Sequence, residues 1–226
     1  MKKTAIIVAG GTGQRMGAAL PKQFLAIEGK SILLHTVSQF VAAFWDINFV
    51  IVLPADYIQE GQDLIATTGF TQQVQIVAGG DTRFQSVKNG LAQVDPDAIV
   101  FVHDAVRCLL TPALIQNCYQ QAVEKGSAIP AVRSTDTIRI VEGAKHHLVD
   151  RENVMMIQTP QTFNAAILIK AFEQAYQPAF TDEANVLEVS GTEVYLIEGE
   201  YENIKITRPL DLAIATYILA NRASKD

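Results

Sequence analysis

Short apolar runs rich in β-branched residues alternate with amphipathic stretches along roughly the first 130 residues. Five of these runs have the length of buried strands, at positions 5–8, 49–53, 74–77, 99–103 and 128–132. Helical spacing of apolar positions occurs between them, at 32–44, 82–91 and 112–125. Thr111 before Pro112 has the form of an N-cap with proline at the first helical position. The alternation predicts an α/β fold with a mostly parallel sheet and helices on both faces.

The pattern changes after Val132. Residues 135–141 are strand-like, Glu142-Gly143 is typical of a turn, and residues 147–149 can return antiparallel. We therefore expect a β-hairpin arm over residues 134–151 that projects from the sheet. Further on, the spacing predicts helices and one extended segment, in the order 164–176 (helix), 181–189 (helix), 193–197 (extended) and 209 to about 221 (helix). No repeat or linker interrupts the chain, so we expect one domain over residues 1–226.

Composition narrows the classes of function. The 226 residues are 49% apolar and 19% charged, which is enough core-forming material for a folded domain and gives no sign of disorder. A net charge of −6 argues against a nucleic-acid partner, so any anionic ligand needs a few concentrated cations. No run reaches the roughly 18 apolar residues of a membrane helix, and the first apolar run is too short for a signal peptide. Two cysteines, Cys108 and Cys118, favour a reduced setting. We expect a cytoplasmic protein without a membrane partner.

The sharpest local feature is a glycine-rich turn directly after the first predicted strand, with the sequence Val8-Ala9-Gly10-Gly11-Thr12-Gly13-Gln14-Arg15-Met16-Gly17. Such a turn brings backbone N–H groups close to a phosphate. It fits neither familiar motif, because Met16 replaces the third glycine of the dinucleotide pattern and the Lys-Ser/Thr pair of the P-loop is absent. Arg15 and Lys22 add two cations nearby. Either cation alone would be interpreted as a solvated surface charge, but together with the turn they predict a nucleotide-phosphate site.

At this point the chain resembles a known family. G-x-G-x-R-M followed by P-K is similar to nucleotidyltransferases with a Rossmann-like fold, which join a sugar or polyol phosphate to a nucleotide and release pyrophosphate. Later motifs resemble the 2-C-methyl-D-erythritol 4-phosphate cytidylyltransferase family of non-mevalonate isoprenoid biosynthesis, over essentially the whole chain. These motifs are Gly80-Asp81-Thr82-Arg83, His103-Asp104-Ala105-Val106-Arg107, Val149-Asp150-Arg151, Thr159-Pro160-Gln161, Thr181-Asp182-Glu183-Ala184 and Asn203-Ile204-Lys205. The chain departs from the usual H-D-A-x-R-P at Cys108, which stands in place of the proline.

The resemblance implies CTP and methylerythritol phosphate as substrates, and it assigns roles by position. Arg15 and Lys22 would stabilise charge at the α-phosphoryl group, and Arg151 and Lys205 are also expected to be catalytic. The CTP-binding set would be Ala9, Gly10, Gly11, Thr12, Gly13, Gly80, Asp81, Ser86, Asp104 and Ala105. The polyol-phosphate set would be Arg107, Thr137, Arg151 and Lys205. Mg²⁺ would be carried mainly by the CTP phosphates, with no dedicated protein metal site.

The resemblance also implies a homodimer formed through the 134–151 arm. Two local interpretations compete with these roles. From sequence alone, Arg151 between Asp150 and Glu152 is typical of an exposed ion-pair cluster, and a strand-end aspartate such as Asp104 is more often a turn or cap residue. His103 beside Asp104 does not indicate a catalytic dyad, because adjacent strand residues point to opposite faces.

Three other functions stay open. A ribitol 5-phosphate cytidylyltransferase shares the glycine turn, P-K-Q-F and T-P-Q, although V-D-R at 149–151 and T-D-E-A at 181–184 favour methylerythritol phosphate. A non-catalytic nucleotide-binding regulatory module would suit the same fold, but the presence together of Arg15, Lys22, Asp104, Arg151 and Lys205 argues against it. An NAD-dependent oxidoreductase is disfavoured by Met16 and by the absence of an acidic residue at the end of the second strand.

Overall fold

The computed structural model describes residues 1–10, 21–70 and 73–223. The strands in these ranges are β1 (Lys3–Val8), β2 (Ala26–Ile27), β3 (Lys30–Ser31), β4 (Asn48–Leu53), β5 (Val74–Ala78), β6 (Ile99–Asp104), β7 (Ser127–Arg133), β8 (Ile138–Glu142), β9 (Lys145–Val149), β10 (Met155–Ile157), β11 (Gln161–Asn164) and β12 (Leu196–Glu198). The helices are α1 (Ile32–Ala43), α2 (Ile58–Ala66), α3 (Arg83–Leu91), α4 (Pro112–Lys125), α5 (Ala165–Ala171), α6 (Glu183–Val189) and α7 (Pro209–Ala223).

The central sheet has the strand order β10-β7-β11-β6-β1-β4-β5, and β12 pairs with β7. Strands β6, β1, β4 and β5 run parallel, while β11 lies antiparallel between β6 and β7. The register places Val8 opposite Val52 on β4 and opposite Asp104 on β6. The carboxyl ends of the central strands therefore meet at one edge, which is where open α/β sheets bind ligands.

Both faces of the sheet are covered, because successive strand residues point to opposite sides. Ile7 and Ile51 face the side that α1, α2 and α4 cover. Ile6 and Val52 face the side that α3, α5 and α6 cover. The predicted α/β fold with a mostly parallel, doubly covered sheet is confirmed, and Thr111 caps α4 by accepting a hydrogen bond from the Leu114 N–H.

Several predicted boundaries were wrong. The helix expected over 164–176 ends at Ala171, because Phe172 and Phe180 stack on Phe84 instead, with ring centroids 4.6 and 5.4 Å away. The extended segment expected at 193–197 is the shorter strand β12, which begins three residues later than expected, at Leu196, and ends at Glu198. Strands β2, β3, β10 and β11 and helix α2 were not predicted.

The predicted hairpin arm is formed by β8 and β9, which pair antiparallel from Ile138 opposite Val149 to Glu142 opposite Lys145. Its turn consists of Gly143 and Ala144, one residue later than expected, and Gly143 has a positive φ of 62°. Val141 and Leu148 on this arm are exposed. Within the described ranges, no helix is long and apolar enough to cross a membrane.

Candidate active site

The start of the glycine turn is anchored at the end of β1. The Ala9 N–H donates to the Val52 carbonyl at 2.9 Å, and the Gln23 side-chain amide donates to the Ala9 carbonyl at 2.8 Å. Gln23 is buried beside Lys22, so this bond ties the lysine's segment to the turn. The predicted residues Gly11, Thr12, Gly13 and Arg15 lie outside the described residues.

A second predicted group, Gly80 and Ser86, lies against Gly10. The Gly80 N–H donates to Ser86 Oγ at 3.1 Å, and Ser86 Oγ donates to the Thr82 carbonyl at 3.0 Å. A Cβ atom at Gly10 would lie 3.2 Å from Ser86 Oγ, and one at Gly80 would lie 2.2 Å from Gln85 Cγ. Glycine is therefore required at position 80 for close packing, and the three residues form one small, backbone-rich surface.

Asp81 is exposed next to this surface. Thr82 caps α3, its side chain accepting a hydrogen bond from the Gln85 N–H at 3.0 Å. The turn-and-cap interpretation of this segment is thus confirmed, and it is compatible with a ligand-binding role because the same turn presents Gly80 and Asp81.

Asp104 ends β6 and is the centre of an ionic cluster. Its Oδ2 lies 2.9 Å from Lys205 Nζ and 3.5 Å from Arg107 Nε, and its Oδ1 lies 3.5 Å from Arg83 Nη2. Arg83 in turn holds Glu183 through two contacts, one of them at 3.0 Å. We call these five residues the Asp104 cluster. Three cations and two anions leave it with one net positive charge.

Burial and charge act against each other on Asp104. Its side chain is only 10% exposed, and burial by itself would raise its pKa. The charges of Arg83, Lys205 and Arg107 outweigh burial and hold the pKa of Asp104 well below its ordinary value. Burial raises the pKa of Glu183, although Arg83 opposes that shift. Asp104 is therefore a fixed anion that orients cations, and it is not a turn or cap residue alone.

Lys22 approaches the same edge of the sheet. It begins a short 3₁₀ turn, and its Nζ donates to the Ile206 carbonyl at 3.4 Å. The Ile206 N–H donates to the Val106 carbonyl at 2.9 Å. These bonds bring Lys22 beside the segments that carry Lys205 and Arg107. The predicted residue Ala105, whose N–H donates to the Val8 carbonyl at 3.0 Å, joins β6 to the glycine turn.

A buried polar layer supports Asp104 from behind. Thr159 Oγ1 accepts from the Asp104 N–H at 3.1 Å and lies 3.0 Å from His103 Nδ1, to which it donates. His103 Nε2 donates to the Arg107 carbonyl at 3.1 Å. Burial lowers the pKa of His103 to about 3, so the ring is neutral. As expected, His103 forms no dyad with the Asp104 carboxylate and does not face the site.

The segment that carries Lys205 is fixed by Asn203. The Asn203 side-chain amide donates to the Thr159 carbonyl at 2.9 Å, and the Asn203 carbonyl accepts from Arg107 Nη1 at 2.9 Å. Cys108, in place of the usual proline, is fully buried and packs in the small core beneath this loop. Burial raises the pKa of its thiol to about 11. With Cys108 at this position, Arg107 contacts Asp104 and the Asn203 carbonyl.

Sequence reasoning missed the role of Arg83 and Glu183. Both residues belong to motifs that carry the family resemblance, but the sequence assigns neither of them to the site. A signal was present, because Glu183 lies on the α6 face whose other buried residues include Ala184, Val186 and Leu187. A glutamate on an apolar helix face needs a cationic partner, but the sequence does not say which.

The arm residues behave differently from the Asp104 cluster. Thr137 and Arg151 are exposed, and Arg151 donates to the Thr135 carbonyl at 3.2 Å and lies 3.6 Å from Glu152. Among the described residues, no contact joins either of them to Asp104. Within a single copy of the chain, Arg151 is therefore part of an exposed ion pair, as one of the two sequence interpretations predicts.

An α/β sheet whose strand ends carry a cation cluster, with a glycine-rich sequence after its first strand, has the architecture of a nucleotide-binding transferase. The family model for 2-C-methyl-D-erythritol 4-phosphate cytidylyltransferase matches residues 3–221, and the chain belongs to this family.

Relatives and solved structures agree with this placement. A 2-C-methyl-D-erythritol 4-phosphate cytidylyltransferase from Bacteroides fragilis is 42% identical, over 97% of this chain and 100% of the relative. The crystal structure of the Francisella tularensis protein of the same name is 30% identical, covers 96% of this chain and 100% of its own, and has a TM-score of 0.80. The 4-diphosphocytidyl-2C-methyl-D-erythritol synthase from Anaerococcus prevotii is 27% identical, with coverage of 97% and 96% and a TM-score of 0.83.

Proposed function

We propose that this chain transfers the cytidylyl group of CTP to 2-C-methyl-D-erythritol 4-phosphate, releasing pyrophosphate, in non-mevalonate isoprenoid biosynthesis. Family membership supports the reaction. The structural observation that supports this reaction is the convergence of Arg83, Arg107 and Lys205 on Asp104 at the end of β6. Such a cluster suits a reaction in which two phosphate groups must be held together.

In this reaction a phosphate oxygen of the polyol phosphate attacks the α-phosphorus of CTP. A new P–O bond forms as the bond between the α-phosphorus and its bridging oxygen to the β-phosphate breaks, and pyrophosphate leaves in line. The second pKa of a phosphate monoester is about 6, so the nucleophile is already largely ionised at neutral pH and needs no general base. His103, which is buried and neutral, is consistent with this scheme.

The chain's own cations divide between the two substrates. Lys22, together with Arg15, is assigned to the triphosphate, where positive charge stabilises the charge that builds at the α-phosphoryl group. Lys205 and Arg107 are assigned to the polyol phosphate by the family resemblance, and Asp104 holds both in place before a substrate binds. Gly10, Gly80 and Ser86 form the surface assigned to cytosine and its backbone contacts.

Mg²⁺ is proposed as a companion of CTP. The described residues contain no group of three or more His, Cys, Asp or Glu side chains that could hold a metal ion. Asp104 is already shared by three cations, so it is a poor magnesium ligand. This fits an ion held by phosphate oxygens rather than by a protein cage. When bound, Mg²⁺ would neutralise phosphate charge.

We also propose a homodimer formed through the arm. Val141 is 69% exposed and Leu148 is 60% exposed, although an apolar strand pair needs a covering surface. Thr137 and Arg151 lie on this arm, so pairing would bring a second copy's polyol-phosphate residues towards the Asp104 cluster. Sedimentation should give a dimer, and Val141→Asp with Leu148→Asp should give a monomer of 24.7 kDa. A wild-type monomer at micromolar concentration would contradict the proposal.

The state of the cysteines and the net charge support proposals about location and about other partners. We propose a cytoplasmic location, because Cys108 and Cys118 are free and buried, and no nucleic-acid or membrane partner, because the net charge is −6. Fractionation of the native cell tests the location.

The deciding experiment is pyrophosphate release with Mg²⁺ and CTP, with methylerythritol 4-phosphate and ribitol 5-phosphate offered in parallel, and with ATP and UTP in place of CTP. We expect activity with CTP and methylerythritol phosphate alone. Activity only with ribitol phosphate would replace the proposed substrate. Saturable CTP binding without pyrophosphate release from either acceptor would indicate a regulatory module instead.

A further inference from the structure

Glu183 is the most deeply buried carboxylate near the site, with 1% of its surface exposed. Both of its oxygens are used by one guanidinium: Oε2 accepts from Arg83 Nη2 at 3.0 Å, and Oε1 accepts from Arg83 Nη1. A two-point contact of this kind fixes the plane of a guanidinium as well as its position.

The fixed guanidinium faces Asp104 on its other side. Arg83 Nη2 lies 3.5 Å from Asp104 Oδ1, so this contact is a single, longer one. The other oxygen of Asp104, Oδ2, is left to Lys205 at 2.9 Å and Arg107 at 3.5 Å. Without Glu183, Asp104 would be the one anion of the cluster for three cations. Arg83 would then be stabilised most by rotating to donate hydrogen bonds to both oxygens of Asp104.

Glu183 is itself held to the strand beside Asp104. Asp182 caps α6 by accepting from the Asn185 N–H at 2.9 Å, and its second oxygen accepts from the Gln161 side-chain amide at 2.9 Å. The oxygen of that amide accepts from the Ala184 N–H at 2.9 Å. Gln161 belongs to β11, whose pairing with β6 places it opposite Val102. The first turn of α6 therefore has a fixed distance from the end of β6.

We infer that Glu183 is a positioning residue, which occupies Arg83 so that Oδ2 of Asp104 remains available to orient Lys205 and Arg107. The inference rests on the proposed function, where those two cations are assigned to the polyol phosphate. Glu183 touches no substrate in this scheme and acts through Arg83.

The test is a double-variant cycle of Glu183→Gln and Arg83→Met in the full-length protein, with kcat measured at saturating CTP and polyol phosphate. We expect Glu183→Gln to lower kcat at least tenfold, because Asp104 is drawn away from Lys205. We expect the double variant to be no slower than Arg83→Met alone, because Glu183 has no role once Arg83 is gone. Glu188→Gln, an exposed position on the same helix, is the matched control and should keep wild-type kcat.

Two results would overturn the inference. One is a kcat of Glu183→Gln within twofold of wild type at the same active fraction. The other is a double variant whose kcat is lower than that of Arg83→Met by the same factor by which Glu183→Gln lowers the wild-type kcat, which would mean that Glu183 acts independently of Arg83. If Glu183→Gln does not fold, the comparison of Arg83→Met with the double variant still decides, since both lack Arg83, the buried cation that Glu183→Gln leaves without its carboxylate partner. Equal kcat values support the inference and a further loss overturns it.

A binding measurement separates this inference from the proposed function. Calorimetric titration with inorganic phosphate needs no turnover. We expect Glu183→Gln to bind phosphate at least threefold more tightly than wild type, because Lys205 loses its carboxylate partner, and the double variant to return towards the wild-type value. If wild type transfers no cytidylyl group, the proposed function fails, and the titration alone then decides: an unchanged phosphate affinity in Glu183→Gln would overturn the inference.

Discussion

The Asp104 cluster and the arm carry charges for the same proposed reaction, but they are built in opposite ways. Asp104 and Glu183 are buried, and each contacts cationic side chains, Arg83 from α3 and, at Asp104, Arg107 and Lys205 from the loops after β6 and before α7. Thr137 and Arg151 are exposed on or beside a two-stranded hairpin that pairs only with itself in the described part of the chain. A charge inside a fold is oriented before a ligand arrives, whereas a charge on an uncovered hairpin needs a partner surface to orient it.

This difference predicts different responses to substitution. Loss of a buried ionic group leaves its partners unpaired in a medium that solvates them poorly, so both stability and activity should suffer. Loss of an exposed charge leaves solvated partners, so the effect should be confined to one substrate.

Asp104→Asn should have the largest effect. We expect a loss of about 3 kcal/mol in the free energy of unfolding, because Lys205, Arg83 and Arg107 lose their shared anion. We expect kcat/KM to fall about a hundredfold or more. Urea unfolding and steady-state kinetics measure the two effects. Asp46→Asn is the control, since Asp46 pairs with Lys3 at 2.8 Å but is 46% exposed, and it should change neither by much. Equal losses of stability and of kcat/KM in Asp104→Asn and Asp46→Asn would contradict the proposed difference between the buried Asp104 cluster and an exposed ion pair.

The neutral His103 behind the cluster should make stability depend on pH. Its pKa of about 3 in the folded protein lies below the ordinary value of 6.5, so the unfolded chain binds more protons between these values. Stability is therefore full above pH 6.5 and falls as the pH is lowered, by about 1.4 kcal/mol per pH unit at most, or about 2 kcal/mol from pH 6.5 to 5.

His103→Asn isolates this contribution. Urea unfolding of wild type and variant at pH 7 and pH 5 should show a smaller loss on acidification in the variant. His35, whose pKa is also lowered by burial, is present in both proteins and cancels from the difference. Identical losses in the two proteins would show that His103 does not contribute in this way.

Arg151→Ala should raise the KM for the polyol phosphate about tenfold, equivalent to about 1.4 kcal/mol, with CTP affinity and stability unchanged. The physical reason is that Arg151 is solvated in the chain by itself and gains a phosphate contact only with substrate. Lys145→Ala is the matched control on the arm, since Lys145 is exposed on the strand face opposite to Val141 and Leu148, and its kinetics should match wild type. Wild-type KM values in Arg151→Ala would show that Arg151 on the arm does not bind the polyol phosphate.

The smallest effect is expected at the arm's turn. Gly143→Ala places a side chain at a φ of 62° and should cost about 1 kcal/mol or less. Activity should stay within twofold, since the turn lies away from Arg151 at the far end of the hairpin. Thermal unfolding measures the effect. Gly69→Ala, with open space around its position, is the control and should be neutral. A large loss of activity in Gly143→Ala would mean that the turn itself takes part in the site.

Much of the fold could be predicted from local patterns. Four of the five β-branched runs are interior strands, because an apolar run of that length fits a sheet that is covered on both faces, and the fifth, β5, is a partly buried edge strand. Thr111 and Pro112 begin α4 because cap and proline chemistry is local. The β11 strand could not be predicted, because Gln161 and Thr162 are polar and become strand residues through pairing with β6 and β7.

The site divides in the same way. The sequence by itself determined that a glycine-rich segment follows a strand, that Lys22 lies beyond it, and that Asp104 ends a strand, because each depends on neighbouring residues. Only the tertiary structure decided that Arg83 meets Glu183, 100 residues away, and that Lys205 meets Asp104. Such pairs depend on strand order and helix placement, and a local pattern of charges carries no information about which partner burial will bring to it.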